Sequence, residues 1–143
     1  MNNKTAGGIG RSFWIISTIA LAWNVLGAVN FISQLNADFV ASLPDTHRAI
    51  IEGRPVWATA GFAMTVFGGA IACLLLLFRN SVAFYIFVAS FLGCVVTMVH
   101  TTAVTSTIEF SLFEIFMMIL MPLIVAGFLT WYSKQAENKG WIG

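Results

Sequence analysis

The sequence predicts an all-α, integral-membrane four-helix bundle, and three observations carry that prediction. Of 143 residues, 59% are hydrophobic and 9% are charged, where a soluble domain carries about 25% charge. The mean hydropathy is +0.88. The apolar residues also fall in four runs, each near the ~20 residues a helix needs to cross a bilayer. Seven basic and six acidic residues are too few to clothe a soluble surface or to build a basic face for nucleic acid. A soluble globular domain, a disordered tail and a nucleic-acid binder are therefore excluded, and the bilayer is the expected partner. Thirteen Phe and five Trp suit lipid contact and membrane interfaces.

The first span covers 12–33. Lys4 and Arg11 precede it as they would a secretory signal, but the run continues to Gln34 without a small-x-small cleavage motif, so it is expected to be retained. The second and third spans, 56–78 and 81–102, are separated by Arg79 and Asn80 alone and must form a tight helical hairpin. The fourth, 112–132, carries Glu114 near its start and Pro122 in its interior. That proline should kink the helix or leave the Met118 carbonyl without its helical partner. In lipid every backbone group must be paired within the protein, which makes runs of this length helices. The whole chain, 1–143, reads as one domain without an internal repeat.

Loop 34–55 is the one sizeable extramembrane piece. Ser42 is expected to cap a short interfacial helix with Pro44 in its first turn and Gly53 at its end. Leu43, Ile50 and Ile51 would then lie on the membrane while Asp45, Arg48 and Glu52 face water. A connector is the plainer reading of this loop, and a lid over a cavity is the alternative.

Four spans put both termini and the Arg79 turn on one side. That side collects Lys4, Arg11, Arg79, Lys134 and Lys139, against Arg48 and Arg54 on the other, where Asp38, Asp45, Glu52 and Glu109 also lie. The positive-inside rule then predicts cytoplasmic termini and an outer loop, with the inner (cytoplasmic) membrane as the expected location.

Small residues recur at i+4 in the two middle spans, as Gly61, Thr65 and Gly69 in one and Ala89, Gly93 and Thr97 in the other. Such stripes let helix backbones approach closely in lipid, so these positions are read as packing sites.

Polar groups inside the spans are costly and mark places of interest. Trp23 and Asn24 form a polar–aromatic pair near the midplane, a candidate contact for a solute. His100 and Glu114 are expected at similar depth near the outer end, where pairing would relieve both. Asn30, Gln34 and Thr59 lie at comparable depth and complete a candidate outer pocket. An interhelical hydrogen-bond cluster is the plainer reading of that group, and a ligand or proton site is the alternative.

Met98, Met117, Met118 and Met121 near His100 raise copper(I) as a ligand. Their directions differ and no MxxM pattern repeats, so no metal and no cofactor are expected. Cys73 and Cys94 differ in depth by roughly 12 Å at 1.5 Å per residue, too far for a disulfide. A bis-histidine haem lacks its second intramembrane histidine. Proton-coupled small multidrug exporters need an acid in the first span, which has none. Phosphate loops, nucleophile elbows and HExxH are also missing, and the chain is not expected to be an enzyme.

Trp23-Asn24 with Gly27, then Pro55-x-Trp57-Ala58 leading into FAMTVFGGAIACLLLLFR, resemble a widespread family of small four-span bacterial membrane proteins. The closing stretch from Met121-Pro122 through Trp131 to Lys139-Gly140-Trp141-Ile142 resembles the same family. Its members are mostly uncharacterised, and some carry an automatic "sugar transporter" label. The resemblance covers most of the chain. Relatives often bear Gln at the position of Thr97 and a Gly-rich turn in place of Thr107-Ile-Glu109-Phe, so the departures fall on the outer polar region.

The favoured function is a non-enzymatic accessory or structural component, with a homo-oligomer or another membrane protein as partner. A small-solute transporter, with sugars as one solute class, is the first alternative. An envelope binding or sensing module with an outer-leaflet pocket is the second. A transporter calls for a cavity reaching Asn24, a binding module for an outer pocket, and a structural component for neither.

Overall fold

The computed structural model describes residues 10–107 and 109–143. Helix α1 (Arg11–Ser33) is followed by two short helices, α2 (Ala37–Ala41) and α3 (Asp45–Glu52). Then come α4 (Val56–Leu77), α5 (Val82–Thr105) and α6 (Leu112–Ile115). A π-helical turn (Phe116–Leu120) joins α6 to α7 (Met121–Asn138). Counting Leu112–Asn138 as one rod, four helices are long and apolar enough to cross a membrane, and no strand occurs among the described residues. The four-helix, all-α architecture is as expected and is compatible with a multi-pass membrane protein. Lys4, one of the charges behind the expected orientation, lies outside the described residues.

Two helices outrun their apolar segments: α5 reaches Thr105 and α7 reaches Asn138. Hydropathy marks where lipid ends, whereas a helix continues while its residues favour it. The last turn of α7 is braced by Lys134 and Glu137, 2.8 Å apart at i,i+3.

The helices pack in chain order, α1 on α4, α4 on α5 and α5 on α7. The tightest approach is between α4 and α5. A Cβ on Gly61 would stand 2.8 Å from the Gly93 carbonyl oxygen, and one on Gly93 would stand 2.8 Å from that of Gly61. Only bare backbone fits there. Beside that crossing Thr97 Oγ1 donates to Gly93 O at 2.9 Å, and Ser90 Oγ crosses to the Thr65 carbonyl at 2.7 Å. Gly61, Thr65, Gly93 and Thr97 of the predicted stripes lie at this interface, with two corrections. Buried Ser90 makes the shorter of two cross-helix hydroxyl bonds, the other running from Thr97 Oγ1 to Ala58 O at 3.4 Å, and its neighbour Ala89 is half-buried to one side. Gly69 has a different use, since it faces α1 and leaves the notch that Asn24 fills.

The hairpin between α4 and α5 closes through Arg79, which takes φ +62°. Its own N–H returns to Leu76 O at 2.9 Å and that of Asn80 to Leu75 O at 2.8 Å, a left-handed helix stop built without glycine. The end of the described chain is stitched beneath this turn. Gly143 N donates to Arg79 O at 3.0 Å, Ser81 N donates to Gly143 O at 3.2 Å, and Arg79 Nε donates to Trp141 O at 2.8 Å. Trp141 is thereby set edge-on to Phe13, ring centroids 5.8 Å apart, while Phe13 stacks on Tyr132 at 6.3 Å.

These rings join Leu76, Phe87, Leu129 and Ile142 in the main core, which occupies the end of the bundle that holds the termini. Each aromatic pair adds about 0.5–1.5 kcal/mol. The core stops well short of the loop end.

Candidate functional site: a cavity beneath the loop helices

A cavity of about 540 Å³ fills the loop half of the bundle. Its existence follows from the packing order. Each helix is in close contact with the next, but α1 and α7 make no comparable backbone contact. Side chains join them at the termini end, where Phe13 meets Tyr132. Toward the loop end the space between them is the cavity, with Trp23, Gly27 and Asn30 on the α1 wall and Met118, Pro122 and Val125 opposite. Trp23 and Met117, on either side of this gap, are 38% and 40% exposed. Asn24, Gly69, Phe87 and Leu129 form its floor, past the middle of the bundle.

The loop is the roof. Phe39 of α2 and Leu43, His47, Ile50 and Ile51 of the α3 segment all line the cavity, so the lid alternative is the one the geometry matches. Leu43, Ile50 and Ile51 point into the bundle instead of lying on a membrane surface, because the α1–α7 gap leaves apolar space beneath them. Asp45 and Arg48 are ion-paired on the outer side of α3. The capping differs from expectation. Ser42 ends α2, its hydroxyl donating to Phe39 O at 2.6 Å, while α3 starts after Pro44 and stops at Gly53. The start of α2 is capped by Asn36 Oδ1, which accepts from Phe39 N at 3.0 Å.

Three contacts tie the roof to the walls. His100, buried in α5, places Nε2 3.2 Å from the Ile50 carbonyl oxygen. His47 places Nε2 3.1 Å from Glu114 Oε2 and lies parallel to the Phe110 ring at 6.0 Å. Arg54, just past α3, donates from Nη1 to Gln34 Oε1 at 2.9 Å.

The expected His100–Glu114 pair is therefore not formed. The loop folds over the bundle and reaches each of them before they reach each other. His100 takes a free carbonyl in the last turn of α3. Glu114 sits at the third position of α6 in a capping box, Oε1 accepting from Ser111 N at 3.2 Å and Ser111 Oγ accepting from Glu114 N at 3.1 Å. Thr59 also departs from the expected pocket. Its hydroxyl donates to Pro55 O at 3.2 Å within its own helix, and it does not line the cavity.

Asn30 and Gln34 do line it, one helical turn apart, and so do Trp23 and Asn24. The Asn24 amide is already engaged, donating to Ala20 O at 2.9 Å and reaching Cys73 Sγ at 3.6 Å, with its carboxamide seated against Gly69. Cys73 and Cys94 are both free and buried. No group of three or more metal-ligating His, Cys, Asp or Glu side chains occurs among the described residues.

His47 and Arg54 were not singled out by sequence reasoning, although a signal was present. Leu43, His47, Ile50, Ile51 and Arg54 share one face at helical spacing, with both polar side chains facing the same way as the apolar residues. Arg54 is the unusual group. Its guanidinium lies over the Phe62 ring at 4.9 Å and its Nε is buried with no hydrogen-bond partner. Burial pushes its pKa below the usual arginine value. The ion pairs among the described residues are His47–Glu114, Arg48–Asp45 and Lys134–Glu137, and every Asp and Glu of the chain is among those residues. Arg54 thus faces the cavity without a carboxylate.

No family model, curated protein or solved structure matches the chain.

Proposed function

We propose that this chain is a non-enzymatic, multi-pass protein of the bacterial inner membrane, with its loop outside and its termini in the cytoplasm. It binds a small molecule in the cavity beneath the loop helices. The observation that carries this reading is the cavity itself. At about 540 Å³ it falls within the ~300–1,000 Å³ that small-molecule sites occupy. It is roofed by a dedicated pair of helices and floored by a packed core. A purely structural component calls for no such space. The charge distribution and the resemblance to four-span bacterial proteins support the placement.

The test is native mass spectrometry of the intact chain extracted in mild detergent, beside a strain lacking the gene. A bound small molecule should accompany the wild-type chain and be lost from Ala126→Trp, which fills the cavity from the α7 wall. The same variant should fail to complement the deletion strain. Full complementation by a stably folded Ala126→Trp protein would return the structural reading to first place, as would a stoichiometric membrane-protein partner on pull-down.

Transport is the second reading, favoured by the π turn and Pro122 in the cavity wall. An irregular helix there supplies a place for the wall to bend. Transport also requires the Phe13–Tyr132–Trp141 cluster to part. Uptake of a defined solute that depends on the chain would select this reading over simple binding.

A further inference from the structure

Resting on the cavity reading, we propose that its ligand is a single-chain amphiphile with an anionic head. The head is held at Arg54 and Gln34 beneath the roof, and the apolar tail lies between α1 and α7 toward Asn24.

The polarity of the cavity runs one way. At the roof end a guanidinium with five N–H donors gives one bond to Gln34 Oε1 and leaves a buried Nε–H unpaired. No carboxylate stands within ion-pair distance of it among the described residues. A half-buried cation without a counter-charge is costly, and an anionic ligand atom supplies both the charge and the missing acceptor. Bound cations are disfavoured by the same Arg54.

Further down, the hydroxyls along the α4–α5 wall are already used. Thr65 donates to Gly61 O, Ser90 to Thr65 O, Thr97 to Gly93 O and Thr101 to Thr97 O. With those protons turned into backbone carbonyls, that wall has few donors left for a sugar or another many-hydroxyl solute. Met117, Met118, Val125, Phe87 and Leu129 line the cavity along its length, which suits an acyl chain. Trp23 and Met117 line the cavity and are part-exposed, the edge at which such a chain would enter from the bilayer.

Trp23, the tryptophan that lines the cavity, is the reporter. The full chain in neutral detergent is titrated with dibromostearate, whose bromines quench nearby tryptophan, and with the corresponding dibromo alcohol, which keeps the tail and lacks the charge. Saturable quenching by the acid at a Kd at least tenfold below that of the alcohol is expected, since charge-assisted bonds carry that much discrimination. Trp23→Phe should remove the saturable component, and Arg54→Gln should bring acid binding to the level of the alcohol.

Equal affinity for acid and alcohol on the unmodified chain overturns the anionic head while leaving the cavity reading intact, and it needs no variant to fold. Displacement of dibromostearate by inorganic phosphate or acetate at equal concentration overturns the amphiphile in favour of a free anion. Quenching that survives Trp23→Phe unchanged places the probe outside the cavity and overturns this proposal together with the reading it rests on.

Discussion

His100 of α5 and Ile50 of α3 are joined by a hydrogen bond of 3.2 Å between the imidazole Nε2 and the backbone carbonyl. A carbonyl only accepts, so the proton resides on Nε2. The bond fastens the last turn of the roof helix, where carbonyls have no helical partner, to the helix in closest contact with α4. Replacing His100 by Ala leaves that carbonyl unpaired at a cost of about 1–3 kcal/mol. Hydrogen exchange should show α3 amides opening about ten- to a hundredfold faster while the amides at the α4–α5 crossing keep their protection. Unchanged exchange in α3 would mean that the roof does not depend on this contact.

Gly61 and Gly68 lie two turns apart on α4 and should respond differently to the same substitution. A Cβ at Gly61 meets the Gly93 carbonyl at 2.8 Å, while one at Gly68 meets Ser90 Cβ at an ordinary 3.6 Å. Gly61→Ala must push two backbones apart, and overpacking of that kind costs roughly 1–3 kcal/mol. Gly68→Ala should lie within about 0.5 kcal/mol of the parent. Reversible unfolding in mixed micelles, read as the shift in midpoint, separates the two.

The Glu114–His47 contact is expected to contribute little to stability despite its 3.1 Å distance. Its side chains are 41% and 37% exposed, and pairs as open as this contribute about 0–1 kcal/mol. Glu114→Gln keeps the reach back to Ser111 N that the capping box needs and should leave the unfolding midpoint nearly unmoved. Ser111→Ala, which deletes the cap itself, should lower stability by about 1 kcal/mol. A larger loss for Glu114→Gln than for Ser111→Ala would assign the ion pair the dominant part.

Pro122 and the π turn before it form one device. Proline has no N–H to give to Met118 O, and Met121 N–H instead reaches back five residues to Phe116 O. Pro122→Ala restores the missing donor and should let the turn revert to α-helix. Losing one extra residue rotates the preceding turn by about 100°, which swings Glu114 away from His47. Capture of cysteines placed at 47 and 114 by a short bis-thiol-reactive linker should therefore be rapid with Pro122 present and slow in Pro122→Ala. Equal rates would show that the π turn does not depend on the proline.

Local sequence pattern made several of these features legible. Apolar run length revealed the four helices, Arg79-Asn80 revealed the hairpin, and i+4 spacing revealed Gly61, Gly93 and Thr97 as a contact surface. Pro122 marked the irregular helix, although whether a kink or a π turn would absorb it was open. Partners were harder to read than positions. His100 and Glu114 are both polar residues near one end, yet each bonds to loop residues about fifty or more positions away. Ser90 outranks Ala89 because the rotation of α5 against α4 is set by the Gly61–Gly93 crossing.

By itself the sequence determined that this chain is helical, that four of its helices are long and apolar enough to cross a membrane, and that its middle helices carry close-packing surfaces. These follow from backbone hydrogen bonding in an apolar medium and from side-chain volume, both of which act locally. Only the tertiary structure decided that α1 and α7 part toward the loop end, that α2 and α3 close over the gap, and that Arg54 faces it uncompensated. Those features depend on how helices with exposed apolar faces divide their contacts. In lipid no force obliges every such face to be buried, so the pattern of apolar residues does not say where a bundle stays open.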